Sequence, residues 1–159
     1  MTDANAALRD CWKQLGILNS KGASDDEIAH FEARYRVTLP PGVREYFSVL
    51  NGTEAGQFGM EDEDLISFWH LDQVRTLAEE CPGDETVHAD QLFVFADWSI
   101  WASAWAVRLS ADPAAPTPVI IAYEPGQQVA ASFEEFLLHY VARDPNVLFP
   151  DRAERHPNH

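Results

Sequence analysis

The stretch that most constrains the fold is LFVFADWSIWASAWAVRL, residues 92–109, which holds three of the five tryptophans. Leu92–Ala96 is a short apolar run typical of a buried strand, and Asp97-Trp98-Ser99 interrupts it as a turn would. From Ile100 onward large and small side chains alternate with a period of two, which predicts a central strand. The alanines make a helix the rival interpretation, but the aromatic residues and the interruption favour strands. The stretch is too short and too interrupted to span a bilayer.

Helices are predicted on both sides of this stretch. Residues 2–18 form the first, the capping box Ser24–Glu27 starts the second, and Pro40-Pro41 starts a third that ends at Asn51-Gly52 in a left-handed stop. Further elements are a strand at Leu65–Trp69, a helix from Asp72 through Glu80, and strands at 119–123 and 127–131. A second capping box precedes the last helix, whose apolar stripe is Phe133, Phe136, Leu137, Tyr140 and Val141.

The order of these elements predicts the fold class. Helices come first, strands follow and one helix closes the chain, so βαβ alternation is absent. We expect an α+β domain with N-terminal helices, a central, mainly antiparallel twisted sheet and a C-terminal helix packed on it. At 159 residues the chain suits one domain, residues 1–144, followed by a polar tail at 145–159 in which Val147–Phe149 docks.

The charge is concentrated in the middle of the chain. The net charge is −15, and between Glu45 and Val107 thirteen acidic residues and one base, Arg75, give −12. Such a surface repels nucleic acid and anionic lipid and attracts cationic partners, although high charge also serves solubility alone. We therefore expect no direct contact with nucleic acid and no membrane association.

The motifs tested for chemistry do not recommend an enzyme. Gly52, Gly56 and Gly59 lack the spacing of a phosphate-binding loop. The acidic run Glu61-Asp62-Glu63-Asp64 supplies oxygen ligands but lacks the pattern of an EF-hand loop, so a solvated loop is favoured over a cation site. His70 beside Asp72 leaves a hydrolase or metal-dependent enzyme as a minor alternative. We predict no cofactor, no metal and no catalytic residues.

The predicted partner-binding residues combine indole rings with carboxylates. We treat Trp101 and Trp105 as core residues and Trp98 or Trp69 as a binding anchor, because a tryptophan beside carboxylates is a typical hot spot. The proposed site assumes that the 53–64 loop and the 97–99 turn lie close together. Its residues are Glu61, Asp62, Glu63, Asp64, Trp69, Asp97 and Trp98.

An ordered set of sequence pieces resembles the SMI1/KNR4 family, also called the SUKH superfamily, over roughly residues 20 to 142. The pieces are Ala23–Ile28 with Phe31-Glu32, Val37–Pro40, Tyr46-Phe47, Leu50–Gly52, Phe68–Leu71 with Val74, Phe93–Asp97 and Val129–Leu138. The resemblance implies an α+β domain with a bent sheet and no shared catalytic residues. It also implies the role of many bacterial members, which are immunity proteins that block a toxin, often a nuclease, whereas fungal relatives act as regulatory scaffolds.

Together these observations predict a non-enzymatic binding domain. The first hypothesis is an immunity protein that neutralises a cognate, nuclease-type toxin or another basic protein through an acidic surface. The alternative is a cytoplasmic regulatory scaffold. The N-terminus lacks the pattern of a signal peptide, and Cys11 and Cys81 are expected to be reduced thiols, so we predict a cytoplasmic location.

Overall fold

The computed structural model describes residues 1–54, 62, 64–122 and 126–148. It begins with three helices, α1 at Asp3–Leu15, α2 at Asp25–Tyr35 and α3 at Pro41–Val49. Ser24 and Glu27 form the predicted capping box of α2, and proline occupies the first position of α3. Asn51 and Gly52 after α3 are both left-handed, with φ of 54° and 78°, as predicted for a helix stop.

The strands occupy the middle of the chain. They are β1 at Ile66–Phe68, β2 at Arg75–Thr76, β3 at Leu92–Trp98, β4 at Ser103–Arg108, β5 at Val119–Ile121 and β6 at Gln127–Ala130. Short helical pieces separate them: a 3-10 turn at Leu71–Gln73, helix α4 at Leu77–Glu80 and a 3-10 turn at Ala89–Gln91. Helices α5 at Phe133–Val141 and α6 at Pro145–Leu148 follow the sheet.

Within the described residues all strand pairs are antiparallel, and the order is β1-β3-β4-β5-β6. The edge of β3 opposite β4 is shared by two short strands. Ile66 in β1 lies opposite Trp98, and Thr76 in β2 lies opposite Phe93. The central strand therefore has one end beside β1 and the other end beside β2 and α4.

Helix α5 covers one face of this sheet. The ring of Phe136 lies 5.3 Å from that of Phe95 and 5.8 Å from that of Trp105, and the Phe133 ring lies 5.2 Å from Phe95. Helix α1 joins the same core through Trp12, whose ring is 5.2 Å from that of Phe68. Burial of these large aromatic side chains is the main source of stability, at roughly 25 cal/mol per Å² of apolar surface removed from water.

The predicted fold class is confirmed, and three local predictions need correction. The helix predicted from Asp72 to Glu80 is wrong, because Arg75 and Thr76 pair with β3 and α4 begins only after its cap, Thr76. Strand β3 continues through Asp97 and Trp98, so the chain reverses at 99–102 and β4 begins at Ser103 rather than Ile100.

The second predicted capping box is only half formed. The hydroxyl of Ser132 accepts the amide of Glu135, but the Glu135 carboxylate accepts the amide of Ala131 instead of closing the box. Leu148 is buried, as expected for a docking segment, whereas Phe149 lies outside the described residues.

Candidate functional site

The reversal between β3 and β4 has an unusual backbone. Ser99, Ile100 and Trp101 are successive left-handed residues with φ of 51°, 53° and 67°. A left-handed residue other than glycine costs roughly 1–2 kcal/mol, and a β-branched residue such as isoleucine rarely adopts this conformation. Ile100 is nevertheless 65% exposed at the tip. Strain of this kind persists only where surrounding contacts enforce it, and it is enriched at functional sites.

The carboxylate of Asp97 enforces the conformation of the turn. Its Oδ2 accepts the backbone amide of Trp101 at 2.8 Å, and its Oδ1 accepts the indole Nε1–H of Trp69 at 2.8 Å. Asp97 is only 1% exposed and Trp69 is fully buried. Neither residue can contact a partner directly, so the expectation that they form part of an exposed surface is wrong. They support the turn from the interior of the protein.

A neighbouring segment widens the apolar surface beside this turn. The amide of Ser99 donates to the carbonyl of Leu65 at 2.9 Å, and Leu65 is itself left-handed and exposed. Trp98 and Trp101 are half-buried, and the Trp101 ring lies 6.2 Å from that of Trp69. We call Leu65, Trp98, Ile100 and Trp101 the turn surface.

The structure describes two residues of the acidic run, Asp62 and Asp64, and they differ in exposure. Asp62 is 5% exposed. Its Oδ1 accepts the amides of Asp64 and Ile66, and its Oδ2 accepts the Tyr140 hydroxyl and Arg143 Nη1, both at 2.7 Å. The prediction of Asp62 as a surface contact is therefore wrong. Asp64 is exposed, 3.0 Å from Arg143 Nη1, and Glu61 and Glu63 lie outside the described residues.

The pKa values around Asp62 follow from this arrangement. Burial raises the pKa of Tyr140, and the adjacent Asp62 carboxylate raises it further. Burial alone would lower the pKa of Arg143, but its hydrogen bond to Asp62 and its electrostatic interactions with Tyr140, Asp62 and Asp64 together outweigh that effect and raise it. Arg143 therefore stays charged, and the Tyr140 hydroxyl keeps its proton as the donor to Asp62. Through these hydrogen bonds Asp62, Tyr140 and Arg143 hold the segment before β1 against the end of α5.

Most other acidic side chains of the middle segment lie at the opposite end of β3. β2, α4 and the 3-10 turn at Ala89–Gln91 surround the start of that strand. These elements and the segment between them carry the partly or fully exposed carboxylates of Glu79, Glu80, Asp84, Glu85 and Asp90, and Asp72 is exposed on the 3-10 turn at Leu71–Gln73, which packs against α2. The two ends of a seven-residue strand are roughly 20 Å apart. Leu65 and Ile66, which follow the predicted 53–64 loop, lie beside the turn, but most of that loop is outside the described residues. The single acidic area predicted around the tryptophans is not formed by the described residues, because Asp62 and Asp97 are buried.

The candidate catalytic groups have structural roles. His70 Nε2 lies 2.8 Å from the carbonyl oxygen of Thr53, and its Nδ1 lies 3.9 Å from Asp72. Cys11 and Cys81 are free thiols, and burial raises the pKa of each, which disfavours the reactive thiolate. Among the described residues no group of three or more His, Cys, Asp or Glu side chains is arranged to hold a metal ion.

Comparison of the sequence with those of known protein families gives a match. Residues 22–139 match the model of the SMI1 / KNR4 family (SUKH-1), which is well over half of the chain. No curated protein matches the chain. In the part of the chain that the structure describes, no helix is both long enough and apolar enough to cross a membrane.

Proposed function

We propose, from the premise that the chain belongs to the SMI1/KNR4 family (SUKH-1), that it is a non-enzymatic protein-binding domain of the immunity type. Its partner is a cognate basic toxin of the nuclease class, which it neutralises in the cytoplasm by binding. A nuclease must attract phosphate, so its active cleft is cationic. A protein with a net charge of −15 is attracted to such a cleft and excludes the nucleic acid.

The observation that carries the proposal is the strained, exposed turn surface. Charge speeds the encounter of two proteins, but a tight complex needs an apolar anchor that loses its water on binding. Ile100 at the tip, 65% exposed and flanked in sequence by the half-buried Trp98 and Trp101, supplies such an anchor. Because Asp97 fixes the turn, little conformational entropy is lost when a partner orders it.

The predicted contact residues divide accordingly. Asp64 and Trp98 are proposed as partner contacts, with Ile100 as the central anchor. Glu61 and Glu63 remain predicted contacts on the same loop. Asp62, Asp97 and Trp69 are assigned a supporting role, because all three are buried.

Co-expression with a toxin encoded beside the gene tests the function. We expect the protein to restore growth, to form a complex on gel filtration and to inhibit nucleic-acid cleavage by the purified toxin. A complex that leaves cleavage unaffected would favour the scaffold alternative. Absence of both complex and rescue would contradict the immunity proposal.

A variant and a matched control test Ile100 as the anchor of the partner. Ile100→Gly removes the apolar side chain and relieves a left-handed residue, so the fold should be at least as stable while partner affinity falls tenfold or more, as at a hot spot. His88→Gly is the control, because His88 is also left-handed and exposed but lies before β3. It should leave the affinity unchanged. Equal affinities for both variants would contradict the assignment of Ile100.

A further inference from the structure

A groove with an apolar floor runs between α2 and residues 71–74, at the far end of β3 from the turn surface. Its volume is about 440 Å³. Phe31, Leu71 and Val74 form the floor and are each almost fully buried. We call this cavity the α2 groove. An apolar floor in an open groove is a place where a side chain can leave water, which a flat charged surface does not provide.

The rim of the α2 groove is acidic on both walls. Asp26 and Glu27 project from the first turn of α2, and Asp72 lies on the opposite wall with 76% of its side chain exposed. The two α2 residues also stabilise their helix through its dipole. Asp72 belongs to another element and supplies negative charge to the groove itself.

The one arginine in the lining does not cancel this charge. Arg34 Nη2 is 3.4 Å from Glu79 on α4, and the Arg34 guanidinium lies over the Tyr35 ring at 4.9 Å. The positive charge of Arg34 is therefore paired with the carboxylate of Glu79, which is not part of the lining of the α2 groove. The acidic residues of α4 and of positions 84–90 add to the negative field at this end of the molecule.

A second cavity extends the groove. It has a volume of about 380 Å³, shares Glu27 and Asp72 with the first, and continues past His70, Glu54 and one cation, Lys21. The two cavities form a furrow that suits an extended segment of polypeptide better than a single compact ligand.

We propose that the α2 groove binds a basic segment of a protein partner, with the aliphatic stem of one arginine on the apolar floor and its guanidinium at the carboxylates of the rim. Arginine fits this lining because it combines an apolar stem with a head that pairs with carboxylates in a bidentate manner. The inference rests on the proposed function in that the partner is the same basic protein. The furrow then adds a second, charge-selective contact, whose lining shares no residue with the turn surface.

A peptide titration tests the groove without the toxin. The probe is acetyl-Ala-Ala-Arg-Ala-Ala-amide, its control replaces the arginine by citrulline, and amide chemical shifts of the 15N-labelled protein report binding. We expect shifts centred on Phe31 and Leu71 with the arginine peptide and not with the citrulline peptide. Shifts spread over the surface without a centre would overturn the proposal.

Two charge-matched variants separate the groove from general attraction to an acidic protein. Asp72→Asn should weaken arginine-peptide binding about two- to fivefold, the effect of one exposed ion pair. Asp90→Asn removes the same charge outside the lining and should weaken binding less, because Asp90 acts only through the field and not through a contact. Equal weakening by both variants would overturn the proposal. So would a dimer, detected by sedimentation, that Asp72→Asn dissociates, because the occupant would then be a second copy.

The outcomes distinguish this inference from the proposed function. If the peptide occupies the groove and no toxin is neutralised, the groove assignment stands and the immunity proposal fails. If the toxin is neutralised equally well by the Asp72→Asn variant and the peptide does not bind, the immunity proposal stands and the groove assignment fails.

Discussion

The two ends of β3 use carboxylates in opposite ways. At the Trp98 end, Asp97 and Asp62 are buried and each accepts hydrogen bonds from backbone and side-chain donors. At the Phe93 end, Asp72 and its neighbours are exposed and lie around an apolar groove. Buried carboxylates specify a conformation because their donors have no alternative partner, whereas exposed carboxylates contribute mainly a field.

The comparison predicts that acidic residues of equal formal charge are not equivalent. Substitution of the buried Asp62 and Asp97 at the turn end should change stability, whereas substitution of exposed acidic residues at the groove end should change association. Charge counted along the sequence does not reveal this division, because both kinds of residue contribute equally to the −12 of the middle segment.

The largest expected effect is that of Asp97→Ala. It leaves the buried Trp69 indole and the Trp101 amide without an acceptor, so the free energy of unfolding should fall by about 3 kcal/mol. Urea unfolding followed by tryptophan fluorescence measures it. Asp72→Ala is the matched variant and should stay within about 0.5 kcal/mol of the parent. Similar losses for the two would remove the distinction between the ends.

A second effect contrasts neighbours in one acidic run. Asp62→Asn weakens the bonds from Tyr140 and Arg143 and should lower stability by about 2 kcal/mol. Asp64→Asn removes only an exposed ion pair and should cost less than about 1 kcal/mol. Thermal unfolding of the two variants side by side provides the measurement. A greater loss at Asp64 would show that the buried network does not stabilise the fold.

Tyr140→Phe gives a smaller effect at neutral pH and a distinct effect at high pH. It should cost about 1 kcal/mol at pH 7, because Asp62 loses one donor and the Trp12 indole loses its acceptor. Burial raises the pKa of Tyr140 above that of a tyrosine in the unfolded chain, which is about 10. Its contribution is therefore complete below pH 10 and is lost as the pH rises further.

Unfolding in urea between pH 8 and 11 tests this dependence. The parent should lose stability steeply above pH 10, and Tyr140→Phe should lose less. Some dependence will remain, since burial also raises the pKa of Tyr46. Parallel curves for the two proteins would mean that Tyr140 does not dominate the alkaline limit.

The smallest expected effect concerns kinetics with the partner. Asp72→Asn should slow association by a factor of about two and reduce its dependence on salt, while Ile100→Gly should mainly speed dissociation. Stopped-flow or surface-plasmon measurements at two salt concentrations separate the rate constants. If both variants alter only dissociation, the field at the groove end has no steering role.

Sequence signals that depend on only a few neighbouring residues made much of the fold predictable. Ser24 with Glu27, Pro41 and Asn51-Gly52 mark helix ends through contacts within a few residues, and the structure confirms each. The apolar run at 92–96 likewise marks the central strand. These signals suffice for an α+β class and for the antiparallel sheet.

The candidate site was harder to predict because its contacts join distant residues. Asp97 reads as a turn residue beside Trp98 and Ser99, yet its partner Trp69 lies 28 positions away. Asp62 reads as part of a solvated run, yet it binds Tyr140, 78 positions away. The α2 groove is lined by residues 26–35 and by residues 71–74, which are far apart in the sequence. No pattern of residue spacing within one segment could therefore predict it.

The way the β3–β4 turn is held has a consequence for variation and engineering. Main-chain amides of the turn donate each hydrogen bond that shapes it. The amide of Trp101 donates to the Asp97 carboxylate, the amide of Ser99 to the Leu65 carbonyl, and the amide of Ala102 to the Trp98 carbonyl. Side-chain identity at positions 99 and 100 is therefore not needed to keep the loop in shape. Except for proline, which lacks the amide hydrogen and cannot adopt a positive φ, residues at these positions can be varied in a display library on an otherwise constant scaffold, so that recognition is retargeted while the frame stays intact.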